Sequence, residues 1–152
     1  MSKKIWTSAE ELLAAMTPEE KVGQLWMAHG FRAVVKRGDG FECTDWIAQQ
    51  QVRGRFPGAL WAVMRSDAWT GRDLSSGPNR REAARAVNLL PHYAVEKTRL
   101  GIPLLFAEEC LHGIMAIGAT TVPEGLGMGA TWSPALIRRA SEVRAEPLRA
   151  PG

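Results

Sequence analysis

The segment GIPLLFAEECLHG, Gly101 to Gly113, decides how the rest of the chain is read. Ile102 to Ala107 is a short apolar run opened by a turn-forming glycine and closed by a polar cluster, the pattern of a buried β-strand. Glu108 and Glu109 then stand at the C-terminal end of that strand. In parallel α/β barrels the active site is assembled on that end, and charged residues there read as catalytic or ligand-binding. Alternation along a strand sends the two side chains different ways, so one of the pair is expected to enter a pocket. The competing reading is that both are solvated loop carboxylates.

Upstream lies REAARAVNLLPHYAVEKT, a helix opened by Asn79 and Glu82 with an apolar face of Ala84, Val87, Leu90 and Ala94. Pro91 falls inside it and predicts a kink or a break, because proline removes a backbone hydrogen bond. Before that helix, Ala59 to Met64 is apolar and bounded by Pro57-Gly58, and reads as the first buried strand. Between strand and helix, Ser66 to Asn79 is polar and carries Asp67, Trp69 and Asp73. Structureless loops of that length are often functional. Trp69 reads either as an aromatic platform for a ligand or as a side chain packed under its own loop. Strand, loop, helix and strand make a βαβ unit, which predicts a parallel sheet.

The N-terminal part opens with two capping patterns: Ser8 with Glu11, and Thr17 with Pro18 and Glu20. They predict two short helices. Val22, Leu25 and Trp26 fall on one face of the second and are expected to be a core stripe, with His29 in its last turn. From Phe31 to Phe56 periodicity weakens; Gly38, Asp39 and Gly40 mark a turn, and Thr44 caps a short helix through Val52. Downstream of Glu109, Ala119 to Pro123 reads as a short third strand. Ser133 and Pro134 then open a helix carrying Leu136, Ile137 and the basic residues Arg138, Arg139 and Arg144, which Pro147 is expected to interrupt.

With 152 residues the chain supports one domain with a real core, but it is short of the roughly 250 residues of a complete (β/α)₈ barrel. A net charge of +3, with 19 basic residues scattered among 16 acidic ones, gives no stripe for nucleic acid, and none is expected as a partner. Cys43 and Cys110 lack CxxC or Cys/His spacing, so neither a metal site nor a disulfide framework is predicted. No apolar run is long enough to span a membrane and none resembles a signal segment, which makes cytoplasmic the default location and a membrane partner unexpected. Gly125, Gly127 and Ala130 spell G-x-G-x-x-A, formally a dinucleotide fingerprint. Pro123 and Glu124 separate it from the short preceding strand, so the alternative is a glycine-rich loop passing close to something above it. No cofactor is expected.

The segments LLAAMTPEEKVGQL, GRFPGALW, AVEKTRLGIPLLFAEECLHG, GATTVPEGLGMGATWSPALI and RAPG, in this order, resemble the N-terminal part of glycoside hydrolase family 3, a family of exo-acting β-glucosidases and β-xylosidases. The resemblance implies an α/β fold, the N-terminal part of a (β/α)₈ TIM-type barrel, incomplete here. It implies retaining hydrolysis of a terminal, non-reducing β-linked sugar, with two groups roughly 5 to 5.5 Å apart in the two-carboxylate version of that chemistry. The family places an acidic residue three positions before the His-Gly at this strand end, where it hydrogen-bonds sugar hydroxyls. Glu109, before His112-Gly113, takes that place and is the substrate-binding residue carried over.

The family's nucleophilic aspartate and its acid/base belong to motifs far downstream of Gly152, so the catalytic residues are not identified and Asp67, Asp73 and Glu108 are not assigned as nucleophile. Pro91 and Pro147 depart from the family pattern. The expectation is a partial barrel domain over residues 1–152, with leading helices over 1–30 and the first βα units over 57–152. The partner is a β-linked oligosaccharide or glycoside, and the chain by itself is expected to be inactive. Two alternatives stand beside this: a non-catalytic sugar-binding or assembly piece completed by a partner chain or by oligomerisation, and, from Gly125 to Ala130, a nucleotide-dependent oxidoreductase.

Overall fold

The computed structural model describes residues 6–52 and 54–149, with the side chains of 52 and 147–149 left aside. The N-terminal helices form where the caps predict them. Helix α1 (Ala9–Ala15) starts at Ser8, whose hydroxyl accepts from the Glu11 N–H, and α2 (Pro18–Gln24) carries a complete capping box between Thr17 and Glu20. The Glu11 carboxylate turns to Thr7, so only the second box is reciprocal.

The chain then enters β1 (Met27–His29), which the sequence reading had placed in a helix. A 3-10 turn (Gly30–Arg32) leads to a hairpin of β2 (Val34–Arg37) and β3 (Gly40–Cys43), closed by Gly38 at φ +54° and Asp39, and α3 (Asp45–Val52) follows. The turn and helix agree with the sequence; the hairpin strands carry no clear alternation and are a new finding. β4 (Ala59–Trp61), α4 (Ala83–Lys97) and β5 (Leu105–Ala107) complete the βαβ unit. β1, β4 and β5 form one parallel sheet in the order β1-β4-β5, with His29, Trp61 and Ala107 in one row at its C-terminal end.

One face of this sheet is packed. Ala28 and Leu60 meet Ala86, Leu90 and Ala94 of α4 and Ile47 of α3, and Leu60, Leu90 and Ile47 are fully buried. The buried face of α4 is Ala83, Ala86, Leu90 and Ala94: Leu90 and Ala94 are as predicted, while Ala83 and Ala86 stand in place of Ala84 and Val87. The opposite sheet face is open: Met27 is 51% and Leu105 73% exposed. Parallel sheets are normally covered on both faces. Leu105 and Phe106 lie at the edge of the sheet, so the expected buried strand over Ile102–Ala107 is in fact a short edge strand, and only Leu104 in that run is fully interior.

Several further expectations are corrected. Val22 and Leu25 are 55% and 90% exposed, and with Trp26 they border a cleft beside Gln50 and Arg55 instead of forming core. The reason is that α2 packs through Gly23, whose missing Cβ leaves room for Phe56 O at a would-be 2.5 Å. Helix α4 runs unbroken through Pro91, and α6 (Pro134–Arg149) runs past position 147. Ala119–Pro123 is not a strand; isolated bridges at Ala116 and Ile117 tie that region to Arg65 and Asn79. Gly125–Gly129 is a five-residue helix, α5; a Cβ at Gly125 would meet open space, whereas one at Gly127 would lie 3.1 Å from Pro123 Cβ, so the close neighbour of the glycine motif is the proline just before it. The terminal residues 150–152 of the RAPG segment lie outside the described residues. Cys43 and Cys110 are both free thiols. Among the described residues no helix is long and apolar enough to cross a membrane.

Candidate functional site

Every residue of the site comes from the C-terminal end of the parallel sheet or the loops leaving it. After Trp61 the chain turns sharply at Ala62, a buried non-glycine residue at φ 63°. This backbone conformation is costly for alanine and persists only where the surroundings hold it. Its result is that the N–H groups of Val63 and Met64 point across the strand end to Glu108, with Met64 N donating to Oε1 at 2.9 Å. Burial pushes the Glu108 carboxyl above the ordinary range, against the pull of those N–H groups and the charges of Arg65 and Arg72. Glu108 is thus an internal clamp between strand ends.

Glu109 turns outward. Its Oε2 lies 2.7 Å from Arg65 Nη1, and its side chain is 45% exposed. The same arginine donates from Nε to Asp67 Oδ2 at 2.7 Å. Desolvation of Asp67 acts to raise its pKa, but the Thr70 N–H and Arg65 outweigh it and hold the carboxyl below the usual range. The Arg65 guanidinium carbon lies 4.8 Å from the Trp69 ring centroid and 5.7 Å from that of Trp61, close enough for cation–π attraction. His29, Phe31, Trp61 and Trp69 form a continuous aromatic cluster with centroid separations from 5.0 Å, for Phe31 and Trp69, to 5.7 Å, for His29 and Phe31.

The long polar segment is folded by its own hydrogen bonds. Asp67 and Thr70 bond reciprocally, and the Asp73 carboxylate accepts from the hydroxyls and N–H groups of Ser75 and Ser76, which hold it far below the usual carboxylate range. Arg72 anchors the segment to the sheet end through the carbonyls of Val63 and Val34, both at 2.7 Å, and Phe31. Burial lowers its pKa, and the nearby Glu108 charge opposes that. Trp69 packs against Phe31 in the cluster and is 54% exposed.

The structure therefore brings Glu109 together with Arg65, Asp67 and Trp69, and leaves Glu108 behind them and Asp73 in its own serine turn. Arg65, Trp61, His29 and Phe31 were not singled out from sequence as members of a site. The available signal was register: His29 and Trp61 end their strands in the same row as Ala107, but using it requires β1 to be recognised first. Among the described residues no group of histidine, cysteine and carboxylate side chains is placed to hold a metal ion.

A parallel α/β unit with its charged and aromatic side chains gathered at the strand ends belongs to the class of folds that build ligand sites there. Residues 17–152 match the glycosyl hydrolase family 3 N terminal domain, and the chain belongs to that family. It is 28% identical over 139 residues to a protein of Formosa agariphila provisionally named a beta-xylosidase, covering 88% of this chain and 16% of that one. A solved beta-glucosidase involved in saponin metabolism, from intestinal bacteria, is 27% identical, with a TM-score of 0.47 over 93% of this chain and 14% of its own. The chain spans less than a fifth of the length of either relative.

Proposed function

We propose that this chain is the opening portion of a family 3 barrel that binds the terminal, non-reducing residue of a β-linked glycoside at Glu109, in a protein whose complete barrel hydrolyses that bond with retention. The observation that carries the reading is the position of Glu109, outward-facing at the C-terminal end of β5 with one carboxylate oxygen tied to Arg65. A carboxylate fixed at one oxygen and open at the other suits the binding of sugar hydroxyls.

It does not suit acid/base work by the neighbouring carboxylates. Asp67 has a depressed pKa, the opposite of what a general acid needs at neutral pH. Glu108 has the raised pKa, but its carboxylate is committed to the Val63 and Met64 N–H groups. The open sheet face at Met27 and Leu105 supports the further reading that more of the barrel belongs against it. Residues 27–149 would then supply the first βα units, with β1 and not β4 as the leading strand.

The test is hydrolysis of nitrophenyl β-glucoside and β-xyloside by the purified chain and by its Glu109→Ala variant. Neither is expected to release nitrophenol. Release by the wild type that the variant loses would mean that the catalytic apparatus is complete within these residues, by itself or through oligomers, and would overturn the partial-barrel reading.

A further inference from the structure

The parallel sheet ends in two unpaired edges, β1 on one side and β5 on the other, and among the described residues no strand or bridge covers either. The ladder fixes which backbone groups stand free. Trp26 O accepts from Gly58 N and Ala59 N, at 3.2 and 3.4 Å, so alternation turns the N–H and C=O of Met27 and His29 to the open edge of β1. Leu105 N donates to Gly58 O at 3.0 Å and Ala107 O accepts from Ala62 N at 3.0 Å, which leaves both backbone groups of Phe106 facing outward from β5. Phe106 shares a row with Leu60 and Ala28, on the face packed by helices, and Leu105 shares the next row with Ala59 and Met27, on the open face. Phe106 is 38% and Leu105 73% exposed. Along the free edge of β1 runs a cleft of about 430 Å³, walled by Trp46, Gln49 and Gln50 of α3 and by Arg32.

We propose that these two edges fit each other and that the chain assembles head to tail, β5 of one copy adding in parallel to β1 of the next. With Phe106 of the added strand in the row of Ala28, its N–H donates to Met27 O and its C=O accepts from the His29 N–H, the groups that the two edges leave free. Its ring then enters the cleft beside Trp46, and Leu105 covers Met27 on the other face. Arg32, exposed and in no ion pair among the described residues, comes beside the strand end that carries the half-exposed Glu109. Strand addition draws its affinity from such main-chain bonds and its specificity from pockets for alternate side chains. Pairing of β5 with a second β5 would leave the cleft unfilled and Met27 bare. Each copy keeps one free edge of each kind, so the contact is heterologous and does not stop at a dimer. It extends the row of His29, Trp61 and Ala107 into His29 of the next copy, and so sets that copy's aromatic cluster beside Glu109. Assembly of this kind needs no bound glycoside.

The experiment is sedimentation velocity of the chain over a wide concentration range, with circular dichroism as the check on folding. The wild type is expected to grow past the dimer as concentration rises. Phe106→Pro removes the outward N–H of β5 and no bond of the internal ladder. His29→Pro does the same for β1, at a φ of −73° that proline adopts. Each variant is expected to be monomeric alone. An equimolar mixture is expected to give a 1:1 dimer that grows no further, because each variant contributes one intact edge. Where a proline variant loses its native spectrum, Leu105→Lys or Met27→Lys blocks the same edge at an exposed position. A wild type that stays monomeric or stops at a dimer would overturn the head-to-tail contact. Self-association that persists in either blocked variant, or a mixture in which the two do not combine, would overturn it equally.

Discussion

Glu108 and Glu109 are adjacent in the chain, yet they face opposite surroundings at the end of β5: Glu108 accepts from Met64 N at 2.9 Å, and Glu109 meets Arg65 Nη1 at 2.7 Å. The alternation of a strand separates them, and the bend at Ala62 gives each its partner, first the N–H groups of residues 63 and 64 and then the guanidinium of residue 65. One carboxylate therefore builds the platform, and its neighbour is left paired with Arg65 and 45% exposed.

The buried carboxylate has a signature in pH. Its folded pKa lies above the ordinary glutamate value of 4.5 because of burial, so between those two values the folded state holds more protons than the unfolded one. The contribution of Glu108 is fully present below about pH 4.5 and is lost as pH rises through the folded pKa. Urea unfolding across this range is expected to show Glu108→Gln gaining on the wild type as pH rises. Glu108→Ala, which strands the Met64 N–H, is expected to cost about 1–3 kcal/mol below about pH 4.5, and less as pH rises through the folded pKa.

Glu20 should behave with the opposite sign. The hydrogen bonds from Arg99, first, and then its place in the Thr17 capping box hold its pKa below 4.5. Its contribution is present above that value and disappears as pH falls through the depressed folded pKa. Glu20→Gln is expected to lower the melting temperature slightly at pH 7 and to leave it unchanged near pH 2, the effect being small because Arg99 is 56% exposed.

Two leucines that look alike in the sequence should differ in consequence. Leu90 is fully buried beneath the sheet, and Leu90→Ala is expected to cost about 2–5 kcal/mol in denaturant unfolding. Leu25 is 90% exposed, and Leu25→Ser is expected to change stability by no more than about 0.5 kcal/mol while reducing self-association in sedimentation.

Gly113 sits at φ +108°, and a Cβ there would lie 2.2 Å from Thr120 O. The hairpin-like return from His112 to Val122, closed by a 2.7 Å bond from Val122 N to His112 O, depends on that close approach. Gly113→Ala is expected to destabilise the chain by about 1–3 kcal/mol, read as a fall in the denaturation midpoint.

The elements legible in the sequence were those fixed locally. Thr17, Pro18 and Glu20 specify the start of α2 by hydrogen bonds within one turn, and Gly38-Asp39 specify the hairpin turn. The βαβ unit of β4, α4 and β5 followed from length and apolar runs. β1 was hidden because Met27-Ala28-His29 continues the helical spacing of Val22, Leu25 and Trp26, and only pairing with Ala59–Trp61 makes it a strand. Exposure of Leu25 and Leu105 was equally illegible, since apolar periodicity reports what a side chain could bury and not whether a partner surface is present. In the candidate site, Glu109 was proposed from the His112-Gly113 motif, whereas Arg65 meets it across 44 residues of sequence and declares itself only in three dimensions.

Binding of a sugar at Glu109 is the step on which the proposed function depends. Titration of the chain with methyl β-D-xylopyranoside, followed through the indole N–H resonance of Trp69, is expected to give a saturable shift that Glu109→Ala weakens about tenfold or more. A titration with no saturable shift, or one that Glu109→Ala leaves unchanged, would contradict it.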